Sequence, residues 1–224
     1  MEDLGRIHQL IIHILGKDFT FNVECMIMTW IVIISLIFFG YMAARKRNII
    51  PNLVQVVGEL IIRVFYDLTE DALGEELSKK YAPLICGLFM FLFLCNWLGI
   101  FPHLEEPTKD LNTPLSYGIM GFVLAHHAGI KAKGLKTYLK DYCEPMFIMA
   151  PLNVIGELAK VISISFRLFG NIMGGSIIIL VVSYLTFNLV TPPFLNAFFG
   201  AFVGTIQAFV FTMLTLVYIA VQVA

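Results

Sequence analysis

Residues 162–175 read ISISFRLFGNIMGG, and this stretch places one arginine, Arg167, among apolar side chains and glycines. After Arg167 the chain continues for 57 residues to Ala224 without another Asp, Glu, Lys, Arg or His. Before it, residues 146–166 carry only two charges, Glu157 and Lys160. Soluble domains average about 25% charged residues, so this region is predicted to lie in a membrane.

The length of the apolar region predicts the shape of the C-terminal third. As one helix, residues 146–190 would extend ~67 Å, more than twice the ~30 Å hydrocarbon thickness of a bilayer. The TPPF sequence at 191–194 is expected to turn the chain, and residues 195–223 then return. Two overlong apolar helices joined by a tight turn predict a steeply tilted helical hairpin.

The rest of the chain is also apolar, and the sequence predicts an all-α polytopic membrane protein with a single domain over residues 1–224. The chain is 58% hydrophobic and only 14% charged. Three further spans are expected at residues 23–44, 81–101 and 114–130, which makes about five crossings. Residues 52–80 place a polar side chain at every fourth position over 55–67 between apolar ones, which indicates an amphipathic helix along the membrane surface.

Charge asymmetry predicts the orientation of these spans. The basic residues 45–47 and the four lysines of residues 131–140 mark the cytoplasmic side. The loop between the second and third spans contains Pro102, Glu105, Glu106, Pro107 and Asp110, which suits the outer side. The N-terminus is therefore expected outside and the C-terminus in the cytoplasm. The net charge of −1 gives no indication of nucleic-acid binding.

Two interpretations of Arg167 remain open at this point. It is either a flank of a 23-residue span that snorkels to the inner surface, or a residue inside the bilayer zone. An arginine at the bilayer centre costs between ~2.5 and ~17 kcal/mol, so the second case requires an anion or a wet path. Asn171 lies one turn later on the same face, and Gln207 is the expected polar neighbour on the last helix.

Four glycines accompany these polar residues. Gly170 and Gly174 form one small-xxx-small step, and Gly200 and Gly204 form a second on the last helix. Such steps allow close approach of another helix, although they also occur in ordinary helix packing. We expect these glycines to pack against a partner in the membrane.

Polar side chains divide into two groups along the chain. Glu157, Lys160 and Ser163 precede Arg167 toward the cytoplasm, although the first two could simply form a surface i,i+3 pair. The group on the outer side consists of Asn112, Thr113, Ser116, Asn171, Ser176 and Ser183. The arrangement predicts two polar half-paths that meet at Arg167.

At the level of motifs, the chain resembles subunit a of the rotary F-type ATP synthases. The resemblance covers roughly residues 80–222. It is carried by the motifs NWLGIFP at 96–102, PTKDLNTPLS at 107–116, KGLKTYLK at 133–140, PLNVIGELAK at 151–160, SFRLFGNIMGG at 165–175 and IQAFVFTMLTLVYI at 206–219.

The resemblance implies a non-catalytic stator subunit in a bacterial inner membrane. Such a subunit packs its hairpin against a ring of c subunits, is joined by the b-subunit peripheral stalk, and binds no permanent cofactor or metal. It passes Na⁺ or H⁺ through two half-channels. Arg167 matches the essential arginine of the family, and Asn171 and Gln207 match its asparagine and glutamine. Glu157 and Lys160 lie where many members carry an acid and a lysine.

The chain departs from the proton-type pattern at two positions. Many proton-coupled members carry a glutamate nine residues after the arginine, where this chain has Ser176. Some pair that glutamate with a histidine at the position of Gly200. A sodium path needs oxygen ligands rather than titratable relays, so these differences favour Na⁺ as the transported ion.

Two other classes of membrane protein are alternatives to this interpretation, a secondary transporter and an intramembrane metalloenzyme. A secondary transporter could use Arg167 as an intramembrane anion site, but such folds often contain inverted repeats, and the sequence shows none. An intramembrane metalloenzyme would need ligands, and the best candidates are His126 and His127. Adjacent helical residues point about 100° apart and no H-E-x-x-H motif accompanies them, so no metal site is expected.

Overall fold

The computed structural model describes residues 9–14, 17–45, 53–101, 104, 106–143, 149–186 and 191–223. Most of these residues are helical, and the expected all-α membrane architecture is confirmed. The α-helices are α1 Val23–Arg45, α2 Leu53–Leu73, α3 Glu75–Trp97, α4 Asn112–Lys133, α5 Leu135–Cys143, α6 Met149–Leu185, α7 Thr191–Asn196 and α8 Gly204–Val223. Two 3-10 turns, Leu98–Ile100 and Pro107–Lys109, and a π-helical segment, Ala197–Val203, complete the helical part.

A two-stranded antiparallel hairpin precedes α1 and is the exception to the all-α expectation. Strand β1, Gln9–Ile14, pairs with β2, Lys17–Asn22, in a register that sets Gln9 opposite Asn22. The chain passes from β2 directly into α1. Oδ1 of Asn22 accepts a 3.3 Å hydrogen bond from the Cys25 backbone N–H, which is the geometry of a helix N-cap.

The predicted surface helix over 52–80 is shorter than expected. Helix α2 ends at Leu73, and residues 75–80 already belong to α3, which was expected to begin at Tyr81. Gly74 separates the two helices with a φ of 80°, a conformation that favours glycine because it has no Cβ. The two helices therefore meet at a defined corner.

The C-terminal hairpin also differs from the sequence prediction. The expected turn TPPF belongs to helix α7, because proline is tolerated in the first turn of a helix. The connection between α6 and α7 falls on residues 187–190, outside the described residues. Helix α6 has 37 residues and is therefore ~56 Å long. This length agrees with an oblique helix, while its tilt stays a prediction.

Four described stretches are long and apolar enough to cross a membrane, judged by length and composition. They are Val23–Ala44, Glu75–Ile100, Ala150–Leu185 and Phe194–Val223. Helix α4 has 22 residues, which is a sufficient length, but it contains His126, His127, Lys131 and Lys133. A fifth crossing by α4 therefore stays a prediction.

Helix α8 lies at the centre of the bundle and contacts α2, α3, α4 and α6. One apolar cluster joins Leu92 of α3, Leu168 of α6 and Phe211 of α8. A second cluster joins Phe65 of α2, Ile85 of α3 and further residues of α4 and α8. These clusters hold α6 against α8 and thereby fix the position of the site.

Helix α4 packs closely because its inner face consists of small residues. A Cβ at Gly118 would lie 2.3 Å from Ser165 Oγ of α6, and one at Gly121 would lie 3.1 Å from Thr215 of α8. Ala125 lies on the same buried face. Small side chains allow helix backbones to approach each other, as in membrane helix packing.

Candidate functional site

Arg167 lies on the side of α6 that faces away from the bundle. The opposite side of α6 is buried through Ile164, Leu168 and Ile172. Arg167 is exposed and has no hydrogen bond or ion pair with another described residue. A Cβ added at Gly170 or Gly174 would meet no atom within 4 Å. The side of α6 that faces away from the bundle therefore carries a cation, and two glycines with open space around them lie beside it.

Asn171 connects α6 to α8 one turn after the arginine. Its Nδ2 donates a 2.7 Å hydrogen bond to Oε1 of Gln207. Gln207 is buried, and its Nε2 has no hydrogen-bond partner among the described residues. The predicted proximity of Asn171 and Gln207 is thus present in the structure as a direct bond.

A cavity of about 280 Å³ lies beside Asn171, and we name it the Glu106 cavity. Its polar lining consists of Glu106, Lys109, Asn171, Ser176 and Asn196. The Glu106 side chain is only 8% exposed, and Lys109 Nζ lies 3.8 Å from its Oε2. Carboxylate, hydroxyl and amide oxygens suit a hard cation such as Na⁺, and a carboxylate can also take up a proton.

A second cavity of about 390 Å³, the Glu157 cavity, lies nearer the start of α6. Its polar lining consists of Lys133, Tyr138, Asn153, Glu157, Lys160 and Gln222. Lys160 Nζ donates a 2.6 Å hydrogen bond to Glu157 Oε1, so the expected i,i+3 pair is formed. Because both residues line the cavity, the pair is more than a surface feature.

Arg167 separates the two cavities along α6. Lys160 is the last α6 residue that lines the Glu157 cavity, and Asn171 is the first that lines the Glu106 cavity. Asn171 follows Lys160 by eleven positions, which correspond to ~16 Å along the helix axis. The two cavities share no lining residue. The site therefore consists of two separate polar spaces and one cation between them.

Asn96 of α3 is a buried polar residue that the motif analysis did not single out. Its Nδ2 donates a 2.8 Å hydrogen bond to the Gly204 carbonyl, and its Oδ1 accepts one of 2.9 Å from Thr108 Oγ1. Asn96 thereby joins α3, the start of α8 and the loop that carries Glu106. An asparagine within an apolar span was the signal that could have identified it.

Gly200 and Gly204 occupy a different environment from the one expected. Both are buried, and a Cβ at Gly200 would lie 2.9 Å from Ile100, while one at Gly204 would lie 2.9 Å from Asn96. They allow the end of α3 to approach the π-helical segment and α8 inside this chain. This is a correction to the expectation of an external partner, which remains open for Gly170 and Gly174.

Asn112 and Thr113 are the first two residues of α4, and they follow the loop that carries Glu106. The Asn112 side chain is exposed, and its backbone N–H donates to Asp110 Oδ1 at 3.0 Å. Thr113 Oγ1 lies 3.4 Å from Cys25 Sγ of α1. Neither residue lines the Glu106 cavity. Their role in an ion path stays a prediction.

The histidines of α4 are not grouped with further metal-ligating side chains. His126 Nδ1 lies 2.9 Å from the Phe122 carbonyl, and its ring packs near those of Phe122 and Tyr138. His127 is exposed. Within the described ranges there is no group of three or more His, Cys, Asp or Glu that could hold a metal ion.

Comparisons with known proteins identify relatives over most of the chain. The family described as "ATP synthase A chain" matches residues 26–220. ATP synthase subunit a of Moorella thermoacetica is 39% identical over 193 residues, which cover 86% of this chain and 87% of the relative. The subunit a of Acidothermus cellulolyticus is 35% identical over 82% of this chain and 70% of the relative. That of Aliarcobacter butzleri is 36% identical over 85% of each chain.

Proposed function

The chain belongs to the ATP synthase A chain family, and we propose that its Arg167 is the fixed cation between two ion half-channels. As a member of this family it is subunit a of an F-type ATP synthase, a multi-pass, non-catalytic membrane subunit of the Fo sector with a role in ion transport. The family membership favours this role over that of a secondary transporter. The proposal assigns residues to that role.

One observation carries the assignment: the Glu106 and Glu157 cavities lie on opposite sides of Arg167 along α6. In the proposal the Glu106 cavity is the outer half-channel and the Glu157 cavity is the cytoplasmic one. The Lys133 side chain at the Glu157 cavity and the lysines of α5 support this orientation by the positive-inside rule. The N-terminus is then outside, and the membrane is the bacterial inner membrane.

The exposed side of α6 is proposed to face a ring of c subunits. Gly170 and Gly174 leave space there for the backbone of a ring helix to approach. Helix α1 lies at the periphery, and its exposed Trp30, Ile34 and Phe38 suit contact with lipid or with the b-subunit stalk. These partners complete the site, because Arg167 has no counter-charge among the described residues.

The physical role of Arg167 follows from its chemistry. A bare carboxylate on the ring is too costly in lipid, so each ring site must carry a cation while it turns. At the interface with α6 the carboxylate releases its cation and meets Arg167. The guanidinium does not lose its proton in a protein, so it remains a counter-charge and repels cations that would leak between the half-channels.

The transported ion in this proposal is Na⁺. The Glu106 cavity offers oxygen atoms from Glu106, Ser176 and the two asparagine amides, which are hard ligands. The test is ATP-driven uptake of ²²Na⁺ by the reconstituted complex, with and without a protonophore. Primary sodium transport continues when the protonophore is present, whereas uptake that the protonophore abolishes identifies H⁺ as the ion.

The arginine assignment is tested by Arg167→Lys in the complete ATP synthase. Lysine can shed its proton and lacks the planar fork, so we expect ATP-driven transport below about a tenth of the wild-type rate. Arg63→Lys is the matched control, because Arg63 is exposed on α2 and lines neither cavity. Wild-type transport by the Arg167 variant would refute the role.

A further inference from the structure

We propose that Glu106 is the cation-binding carboxylate of the Glu106 cavity and receives the transported ion before it reaches the ring. This inference rests on the proposed function, in which that cavity is the outer half-channel. The ligand is a monovalent cation, either H⁺ or Na⁺. The family motif points to Ser176 for the corresponding position, whereas Glu106 belongs to the acidic loop between the second and third predicted spans.

The position of Glu106 is unusual for a loop carboxylate. Its side chain is 8% exposed although it lies between two connecting turns. It is the acidic residue among the described side chains that line the cavity, and it lines the same space as Asn171 and Ser176 of α6. This position sets a carboxylate in the same space as the Asn171 and Ser176 side chains of α6, on the side of Arg167 that the proposal assigns to the outer half-channel.

The structure holds Glu106 in this place from three sides. Gly99 provides the space, because a Cβ there would lie within 3 Å of the Cγ, Cδ and Oε1 atoms of Glu106. The next residues, Pro107 and Thr108, are buried. Thr108 Oγ1 donates to Asn96, which is itself bonded to the start of α8. The carboxylate is thus carried on an anchored segment.

Lys109 makes this carboxylate suitable for reversible binding. Its Nζ lies 3.8 Å from Oε2, which is beyond hydrogen-bond distance, and its side chain is 30% exposed. An ammonium at this distance compensates part of the carboxylate charge when no transported cation is bound. An arriving proton or Na⁺ neutralises the carboxylate, and the cation then leaves toward Asn171 and the ring carboxylate near Arg167. No bond other than that to the cation forms or breaks.

Ser176 provides a way to test whether the cavity needs a carboxylate or the Glu106 side chain in particular. Ser176 lines the same cavity from α6, and its Oγ bonds only its own helix, at 3.0 Å to the Ile172 carbonyl. A carboxylate introduced there would line the same cavity from α6 instead of from the loop. If the cavity needs one acid, Ser176→Glu should partly replace a missing Glu106.

The experiment uses the complete ATP synthase in proteoliposomes. The variants are Glu106→Gln, the double variant Glu106→Gln with Ser176→Glu, and the control Glu75→Gln, whose side chain is exposed and paired only with Lys79. ATP synthesis is measured against the external concentration of Na⁺ in one arm and of H⁺ in the other. We expect Glu106→Gln to raise the half-saturating concentration of one cation at least about tenfold, and the double variant to lower it again.

Gly99→Ala is a second variant. It retains the Glu106 carboxylate but forces it to move, because the added Cβ would occupy its space. It should shift the same half-saturating concentration, whereas Gly87→Ala should not, because a Cβ at Gly87 meets nothing within 4 Å. Unchanged external saturation in both Glu106→Gln and Gly99→Ala would overturn the inference. If Glu106→Gln fails to assemble, Gly99→Ala decides, and an unchanged half-saturating concentration in that variant overturns the inference.

Failure of this inference is distinguishable from failure of the proposed function. The Arg167→Lys variant tests the function through the maximal rate of coupled transport. If Arg167→Lys is inactive while both Glu106→Gln and Gly99→Ala keep wild-type saturation, the half-channel proposal stands and the assignment of Glu106 is wrong.

Discussion

The Asn171 side chain donates a 2.7 Å hydrogen bond to Gln207, and this bond joins α6 to α8 at the edge of the Glu106 cavity. Asn171 is exposed at this point, whereas Gln207 is buried. The bond therefore links the surface that carries Arg167 to the interior of the bundle. It adds a polar contact to the apolar cluster that holds α6 against α8.

The two amides are expected to act as one unit. Asn171→Leu and Gln207→Leu should each reduce ATP-driven ion transport, and the double variant should be no slower than the slower single one. Asn171→Leu leaves the buried Gln207 carbonyl oxygen without this partner, at about 1–3 kcal/mol, whereas Gln207→Leu leaves an exposed Asn171 amide that can bond to water. Transport rates of the four reconstituted complexes test this. Losses that multiply in the double variant would mean that the residues act independently.

Asn96 is expected to set the stability of the junction between α3, α8 and the Glu106 loop. Asn96→Leu leaves the Gly204 carbonyl and the Thr108 hydroxyl without this partner, which should cost about 2–5 kcal/mol for two buried groups. Thr108→Val removes only one of the bonds and should cost about half as much. The measurement is the midpoint temperature at which the purified complex loses coupled transport. Equal midpoints for Asn96→Leu and wild type would contradict the role.

Gly129 is expected to tolerate no side chain. A Cβ there would lie 2.8 Å from both the Gln222 carbonyl and the Tyr138 ring, so α4, α5 and α8 would have to move apart. Such overpacking costs about 1–3 kcal/mol. We expect Gly129→Ala to lower the amount of this subunit retained in the purified complex. Gly87→Ala is the matched control, and equal retention of the two variants would show that α4 adjusts without loss.

The Glu157–Lys160 pair is expected to matter for transport more than for stability. Lys160 is partly exposed, so the pair contributes only about 0.2–0.5 kcal/mol. Because both residues line the Glu157 cavity, Glu157→Gln should slow ATP-driven transport several-fold while thermal stability stays within about 0.5 kcal/mol. Glu75→Gln, in the exposed pair with Lys79, is the control. A large loss of stability with normal transport would assign the pair a structural role.

Much of the fold could be predicted from local patterns. The apolar length around Arg167 and the basic segments were sufficient to predict the helical membrane architecture, because bilayer thickness sets helix length. The corner at Gly74 was missed, since the polar pattern of α2 runs without interruption into α3. The N-terminal hairpin was also missed, because its pairing depends on contacts between segments rather than on a local period.

For the candidate site, too, some relations between residues follow from the sequence and others only from the packing of the helices. The sequence by itself predicted Arg167 as the central residue, with Asn171 and Gln207 as polar groups near it, and it predicted the Glu157–Lys160 pair. The structure contains the Asn171–Gln207 and Glu157–Lys160 contacts, because spacing along one helix or a motif places these groups together. Only the tertiary structure decided that Glu106 lines a cavity with Ser176, that Gly200 faces Ile100 of the 3-10 turn and that Gly204 faces Asn96 of α3. These relations join residues far apart in the chain. Their proximity results from the packing of α8 against its neighbours, for which a single sequence carries no periodic signal.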